Sequence, residues 1–466
     1  MNKIQENWDA VVVGTGPAGM AFAIHATGMG LSVLALDDQE TPGGQIYRNM
    51  ENQTPESLKL LGSDYARGRD LVRRFRNSAA HYLPGAVVWK LEADGRVSFT
   101  AGGESRDIRA KRIVIAIGAM ERPVPFPGWT LPGVMGVGAT DTLLKTAGMV
   151  PQGPVTLAGN GPLIFSVAGH LNRLGVEISH FLDTRPAMAG VLPHLPGALT
   201  RPGYLAKGAA MALKARMAVD NWISPVETFQ ARGKDRLNAV TFHRRGQINQ
   251  VPATSLLVHQ GIIPRWDFTR QLRLPHVWDP VQRYWYPQLD AHGRSGMETI
   301  YVAGDSGYVH GAQAATLKGE LAAVAVAADL LQFSPEEKKA LSAPLFRALE
   351  RELRPRPFVD AAFRPGADLY HMPDQTLVCR CEEVTAGKIR RAVAQGMTTP
   401  EMVKSVTRCG MGPCQGRMCS PALAELVAAE TRQPVQALPP ISIRPPVRNL
   451  FIGDFVKMRV LDKEEK

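Results

Sequence analysis

All five cysteines of this sequence lie between Cys379 and Cys419, and the 378 residues before them hold none. They read Cys379-Arg380-Cys381, then Cys409, Cys414 and Cys419. Cysteine pairs on tight loops between short helices form a site for a metal centre held by four thiolates, and a [2Fe–2S] cluster uses that donor set. Zinc is the first competitor, but its cysteine pairs usually have two to four residues between them and Cys379-x-Cys381 has one. A disulfide, or a set of inert core thiols, is the second competitor. Five cysteines compete for four places.

Short helices must position these thiols. Thr385 is a suitable N-cap for a helix that Gly396 ends. Thr399-Pro400 opens a second helix, which runs to Arg408 or Cys409 and stops at Gly410. The glycine-rich loop Gly410 to Cys419 follows, and Ser420-Pro421 opens a third helix, Ala422 to Thr431. Cys419 sits beside the start of that helix, whose positive end favours a thiolate.

A second set of residues with chemical meaning lies at the other end of the chain. Ala10 to Val13 is a continuous apolar run, as a buried parallel strand requires. Gly14-Thr15-Gly16-Pro17-Ala18-Gly19 follows, and Met20 to Ala26 continues as an apolar helix. In this strand–turn–helix, Gly14 permits the tight turn and Gly16 lets the backbone approach a pyrophosphate. Gly19 lets helix and strand pack closely, and the helix N-terminus faces the phosphates. The strand Ser32 to Leu36 ends in Asp37, 18 residues after Gly19, where a carboxylate can accept ribose hydroxyls. Thr41-Pro42-Gly43-Gly44-Gln45-Ile46 resembles the stretch that flanks the flavin in two-dinucleotide flavoproteins, so FAD is expected here in preference to NAD.

Pro55 to His81 reads as mostly helical and Val87 to Arg109 as antiparallel strands. The strand Arg112 to Ile117 ends at Gly118 and resembles the crossover that returns beside the flavin domain. A proline-rich linker, Glu121 to Gly133, leaves that domain. A second dinucleotide-type turn, Gly159-Asn160-Gly161, follows the strand Val155 to Ala158. Its next strand ends in Asp183, which would favour NADH over NADPH. The third glycine position holds Ile164, whose branched side chain obstructs close helix–strand approach. An NADH-like adenine nucleotide and an empty retained fold are both open for this half. Pro186 to Pro225 reads as helical connections. Thr299 to Ala303 is a further strand, ending Gly304-Asp305, and resembles the one that places an acid near the flavin's ribityl and pyrophosphate.

Bulk properties exclude other classes. The formal charge is +11, but the basic residues are scattered and show no nucleic-acid motif. The longest apolar helical run, Leu321 to Leu331, is shorter than the roughly 20 residues a bilayer needs. No signal peptide is evident, and the cysteine distribution is unlike that of a secreted disulfide scaffold. A reducing cytoplasm fits, with any membrane association made through partners. No CxxC occurs, so a redox-active disulfide of the thioredoxin-reductase kind is excluded. His170, His259 and His310 read as packing or surface groups, and no catalytic acid–base pair or nucleophile set stands out.

The Cys381-to-Cys414 spacing resembles the bacterioferritin-associated ferredoxin type of domain. That resemblance implies Cys379, Cys381, Cys414 and Cys419 as ligands, with Cys409 a spectator. The stretches Leu36 to Gln39, Gly43 to Arg48, Ile117 to Pro123, Phe126 to Trp129, Cys379 to Val384 and Gly410 to Cys419 together resemble one family. It comprises the flavin-containing α-type subunits of bacterial amino-acid and opine dehydrogenases. The resemblance implies an α/β fold of two Rossmann-like dinucleotide-binding domains and a small helical [2Fe–2S] domain. An FAD-binding domain is expected over 1–123 and 295–335, a second dinucleotide-type domain over 124–294, and a linker and helix over 336–373. The cluster domain is expected over 374–435 and a tail over 436–466. The FAD site is expected to use Gly14, Gly16, Pro17, Ala18, Gly19, Asp37, Gly44, Gln45, Gly118, Gly304 and Asp305, with Gly159 and Gly161 in the second site. The resemblance also implies a partner flavoprotein subunit of the D-amino-acid-oxidase type that oxidises the substrate C–N bond, sometimes with a small ferredoxin-like subunit. Electron relay within such a complex is the expected function. A self-sufficient NADH-dependent flavin/iron–sulfur reductase is the alternative.

Overall fold

A computed structural model describes residues 5–186 and 188–458. The first sheet contains β1 (Asn7–Val13), β2 (Val33–Leu36), β3 (His81–Leu83), β4 (Val87–Leu91), β5 (Arg96–Ala101) and β6 (Glu104–Ile115). Its order is β3-β2-β1-β6-β5-β4. The far half of the long β6 runs parallel to β1, with Val11 opposite Ile113 and Val13 opposite Ile115. The near half of β6 forms an antiparallel hairpin with β5.

The second half of the molecule begins with β7 (Ala119–Glu121) and β8 (Val134–Gly136). It continues through β9 (Val155–Asn160), β10 (Ile178–Asp183) and β11 (Val219–Ile223). A separate three-stranded antiparallel sheet follows: β12 (Thr228–Arg232), β13 (Ala239–Arg244) and β14 (Gln247–Pro252). Then β15 (Ser255–Gln260) completes a parallel sheet of order β11-β10-β9-β15-β8. The chain crosses back along β16 (Ile262–Pro264), which pairs antiparallel with β7. After the hairpin β17 (His276–Asp279) and β18 (Tyr284–Pro287), β19 (Ile300–Val302) re-enters the first sheet parallel to β6. The first dinucleotide unit is therefore assembled from two distant stretches of chain.

Small residues decide how closely its layers approach. The helix Pro17–Gly28 packs on the helix Ala312–Leu331, both alanine-rich and largely buried on their facing sides. A Cβ at Gly319 would stand 2.1 Å from the Ala18 carbonyl oxygen, so this crossing requires glycine. Gly14 has φ +99°, and a Cβ there would meet the Ala116 carbonyl oxygen at 2.6 Å. A Cβ at Gly19 would lie 1.9 Å from the Gly14 oxygen. Strand, turn and helix are thus locked by contacts that no other residue type permits.

The last unit holds β20 (Leu377–Cys379), β21 (Val384–Thr385) and three short helices, Ala386–Ala394, Pro400–Thr407 and Ser420–Thr431. Thr385 and Thr399 cap the first two through their side chains, accepting from Lys388 N–H and Met402 N–H. Its core combines Val378, Ile389, Val403, Leu423 and Val427 with Cys379, Cys409 and Cys419. Small domains bury too little apolar surface to be secure alone, and a bound metal centre adds the missing stability. The unit is also fixed to the rest of the chain. Trp129 Nε1 donates to the Leu377 carbonyl at 2.7 Å, and Arg283 forms an ion pair with Glu425 at 2.9 Å.

Candidate functional site

A cavity of about 990 Å³ begins at the first glycine turn. Gly14, Gly16, Pro17, Ala18, Asp37, Gly44, Gln45, Gly118 and Asp305 all line it. Gly19 and Gly304 lie behind it and make its close packing possible; a Cβ at Gly304 would stand 2.6 Å from the Ala18 Cβ. Two loops face one another across the opening, and a Cβ at Gly44 would be 2.9 Å from the Gly16 Cα. The passage there is narrow, bounded by bare backbone and by the N-terminus of the helix Pro17–Gly28, as an extended dinucleotide requires. Asp37 accepts from Thr15 N–H at 2.5 Å, from the Thr15 hydroxyl at 2.6 Å and from Gln39 N–H at 2.9 Å. These are neutral donors, so the carboxylate keeps its net charge beside the cavity. Burial lifts its pKa above the ordinary carboxylate value. Asp305 accepts from His310 N–H and Gly311 N–H at 2.9 and 3.1 Å, which shapes the start of the helix Ala312–Leu331.

The other end of this cavity reaches the cysteine loop. Cys414, Arg417 and Met418 line it together with the first glycine turn. The Sγ atoms of Cys379, Cys409 and Cys419 lie within 4.8 Å of one another, all buried. Cys381, exposed, and Cys414, half-buried, hydrogen-bond to each other through their side chains. Hydrogen bonds from the Cys409 and Cys419 thiols hold the Cys379 pKa down to about 2. The same contacts push Cys409 and Cys419 up. Gly412 packs on Cys381, where an added Cβ would meet the cysteine Cβ at 2.2 Å. Of the four expected ligands, Cys379 and Cys419 share the buried group and Cys381 and Cys414 form the outer pair, on a loop that glycine makes tight. Cys409 departs from its expected distance: it belongs to the buried trio, because the helix Pro400–Thr407 ends one residue before the turn that aims it inward. Among the described residues the buried thiols of Cys379, Cys409 and Cys419 thus form one group, and Cys381 and Cys414 form a pair beside it.

The second turn is built differently. Gly159 and Gly161 have φ of +125° and +140°. The His259 ring occupies the space above Gly161, where an added Cβ would lie 2.6 Å from the imidazole. Ile164 is fully buried in the core of this unit. Asp183 is fully buried and bound to Arg185, at 2.6 Å from Nη2, and to Trp222 Nε1 at 3.1 Å. Arg185 in turn lies against Phe165, Trp222 and Phe363. The adjoining Arg364 carbonyl accepts from Asn160 Nδ2 at 2.8 Å. The acid expected to read a ribose is neutralised and covered by the chain itself, although Gly161 still lines the main cavity.

Of the three histidines, His310 has its pKa lowered to about 2 by burial and by Lys318 and Arg356, so it stays neutral. His170 pairs with Asp141, itself bound to Lys145. His259 pairs with Glu121 through Nδ1 at 2.6 Å. The Lys145–Asp141 and Glu121–His259 pairs both touch the cavity wall. Neither stood out in the sequence: an i,i+4 Asp–Lys pair is common on any helix, and Glu121 and His259 lie far apart in the chain.

The fold and the two sites define a flavoprotein oxidoreductase with an appended iron–sulfur domain. Residues 8–328 match the pyridine nucleotide-disulphide oxidoreductase family and residues 377–429 the BFD-like [2Fe-2S] binding domain. The sequence is 38% identical to the A subunit of opine oxidase from Rhizobium meliloti, over 98% of this chain and 88% of that protein. It is 30% identical to hydrogen cyanide synthase subunit HcnB of Pseudomonas protegens, over 88% of this chain and 89% of that one. Among solved structures, L-proline dehydrogenase from P. horikoshii shares the fold with a TM-score of 0.70 and 18% identity, covering 96% of this chain and 79% of that one. The chain belongs to the family that includes HcnB and the A subunit of opine oxidase. Its cofactors are FAD and a [2Fe–2S] cluster.

Proposed function

We propose that this chain is the electron-relay subunit of a heteromeric amine or amino-acid dehydrogenase, of the proline, hydroxyproline, opine or glycine type. The observation that carries the proposal is the continuous cavity from the Gly14–Gly19 turn to Cys414. FAD supplies two-electron redox chemistry there and the cluster supplies one-electron transfer. The chain's residues bind and orient. Gly14, Gly16 and the following helix N-terminus receive the pyrophosphate, Asp37 sets the turn, and Gly44-Gln45, Gly118 and Asp305 bound the flavin end. Cys379, Cys381, Cys414 and Cys419 are the four ligands, as an inner and an outer pair, with Cys409 a buried neutral thiol beside them. The FAD-binding domain spans 1–123 and 295–335. The second dinucleotide-type domain spans 124–294, the linker and helix 336–373, and the cluster domain 374–435.

The substrate C–N bond is oxidised in a partner flavoprotein of the D-amino-acid-oxidase type, and a small ferredoxin-like protein is a further component. Similarity to chains named as subunits supports a heteromeric assembly. The assembly works in the cytoplasm, where a reducing environment keeps the five thiols free; no helix among the described residues is long and apolar enough to cross a membrane. The test is to purify the assembly from its host and add candidate amines anaerobically. Reduction of this chain's flavin and cluster only when the partner is present supports the relay. Equal reduction in the isolated chain contradicts it.

The second reading is an NADH-dependent reductase, favoured by the positive φ of Gly159 and Gly161 and by the place of Gly161 in the cavity wall. Against it stand the covered Asp183 and the ring over Gly161.

A further inference from the structure

Glu121 and His259 come from strands 138 residues apart and meet at the wall of the main cavity. His259 is 1% exposed, and its Nε2 is buried with no hydrogen-bond partner among the described residues. Nδ1 is fixed at 2.6 Å from Glu121 Oε1. The carboxylate is itself held by Gly138 N–H, 3.1 Å from each oxygen. A carboxylate that anchors one ring nitrogen fixes the ring and so orients the other nitrogen. The second nitrogen is left buried and unpaired beside Gly161, which also lines the cavity.

Charged groups on the neighbouring elements are committed elsewhere. On the helix Val137–Ala147, Lys145 is bound to Asp141, and Asp141 also meets His170 from the helix Pro162–Arg173. Arg122 donates to the carbonyls of Gln260, Gln282 and Arg283. Strands β8 and β9, which flank β15, carry no titratable side chain. Glu121 is thus the charge that faces the ring directly.

We infer that the Glu121–His259 pair is the proton acceptor that accompanies electron relay, with His259 Nε2 taking the proton and Glu121 as the positioning residue. The inference rests on the relay reading. Reduced flavin (FADH⁻) gives up two electrons and one proton in returning to FAD. Each cluster takes one electron at a time and no proton, so the two electrons leave one by one through the cluster to a one-electron acceptor. The proton has no place on that route. Nε2 would take it, an imidazole N–H bond forming as the flavin N–H bond breaks, and would later release it to solvent.

The test uses the full chain loaded with FAD and cluster, chemically reduced and mixed anaerobically with ferrocenium as the one-electron acceptor. Flavin reoxidation is followed by absorbance, cluster reduction by electron paramagnetic resonance, and the flavin midpoint potential is titrated against pH. In His259→Gln, reoxidation is expected to slow by about 100-fold, the pH profile to flatten and the solvent isotope effect to fall. The inflection in midpoint potential against pH is expected to disappear. Glu121→Gln keeps the ring but removes the carboxylate that fixes Nδ1, so reoxidation is expected to slow and its pH profile to change, by less than in His259→Gln. If His259→Gln fails to fold, this second variant decides. Unchanged profiles and potentials at full cofactor content overturn the inference. If flavin reduction in the unsubstituted chain never reduces the cluster, the relay reading fails with it; a reduced cluster with an unmoved profile in both variants removes only the histidine.

Discussion

The two glycine turns of this chain start from the same pattern, a strand, a turn with two left-handed or open glycines, and a helix. They end with opposite surroundings. At the first, Gly19 is required by a contact of 1.9 Å to backbone, and Asp37 stands beside an open cavity held only by neutral donors. At the second, Ile164 fills the core, Asp183 is neutralised by Arg185, and His259 covers Gly161. The difference teaches that a dinucleotide turn is a site only when its acid is left free of cations and its backbone is left bare. In the second turn the rest of the chain covers both.

Substitutions can break this comparison, and the largest effect is expected at the first turn. Gly19→Val forces side-chain atoms into the Gly14 backbone, so purified protein is expected to hold essentially no FAD. Gly161→Ala strains a backbone at φ +140° and presses on the His259 ring, away from the first turn, and is expected to retain FAD; the ratio of bound flavin to protein checks both. At the cysteine loop, Cys414→Ala is expected to lose the visible iron–sulfur absorption while Cys409→Ala keeps it. The reverse result reassigns the ligands in favour of the buried trio. Arg185→Met leaves Asp183 buried without its counter-ion, with an expected loss of about 3 kcal/mol in chemical denaturation and no change in flavin content. Phe363→Ala removes one aromatic face from Arg185 and is expected to cost about 1 kcal/mol. Neither change is expected to confer tight NADH binding, which equilibrium dialysis measures. Micromolar binding in the Phe363→Ala protein alone would show that the covering segment is the sole barrier.

The sequence carried the fold well because its signals were local. Gly14 to Gly19 with its flanking strand and helix, the Gly304-Asp305 strand end, and the capping threonines Thr385 and Thr399 each state their conformation within a few residues. The return of β19 to the first sheet was legible for the same reason, since its strand and the Gly304-Asp305 end resembled one that places an acid near a flavin. The closeness of Cys409 to Cys379 and Cys419 was not legible, because spacing along the chain says nothing about where a helix end aims a side chain. The cover of Asp183 was only partly legible: Arg185 lies two residues along the chain, while Trp222 and the Phe363 ring against Arg185 are brought in by tertiary folding. Glu121 and His259 were passed over for the same reason, being separated by 138 residues. Local grammar reveals a turn, and long-range packing decides whether the turn is used.

The central claim is that electrons reach this chain from a partner and leave through its cluster. Anaerobic rapid mixing of the isolated holoprotein with NADH tests it most directly, with flavin absorbance as the readout and dithionite as the positive control. The flavin is expected to stay oxidised with NADH while dithionite bleaches flavin and reduces the cluster. Rapid bleaching by NADH alone would contradict the account and make the chain a self-contained reductase.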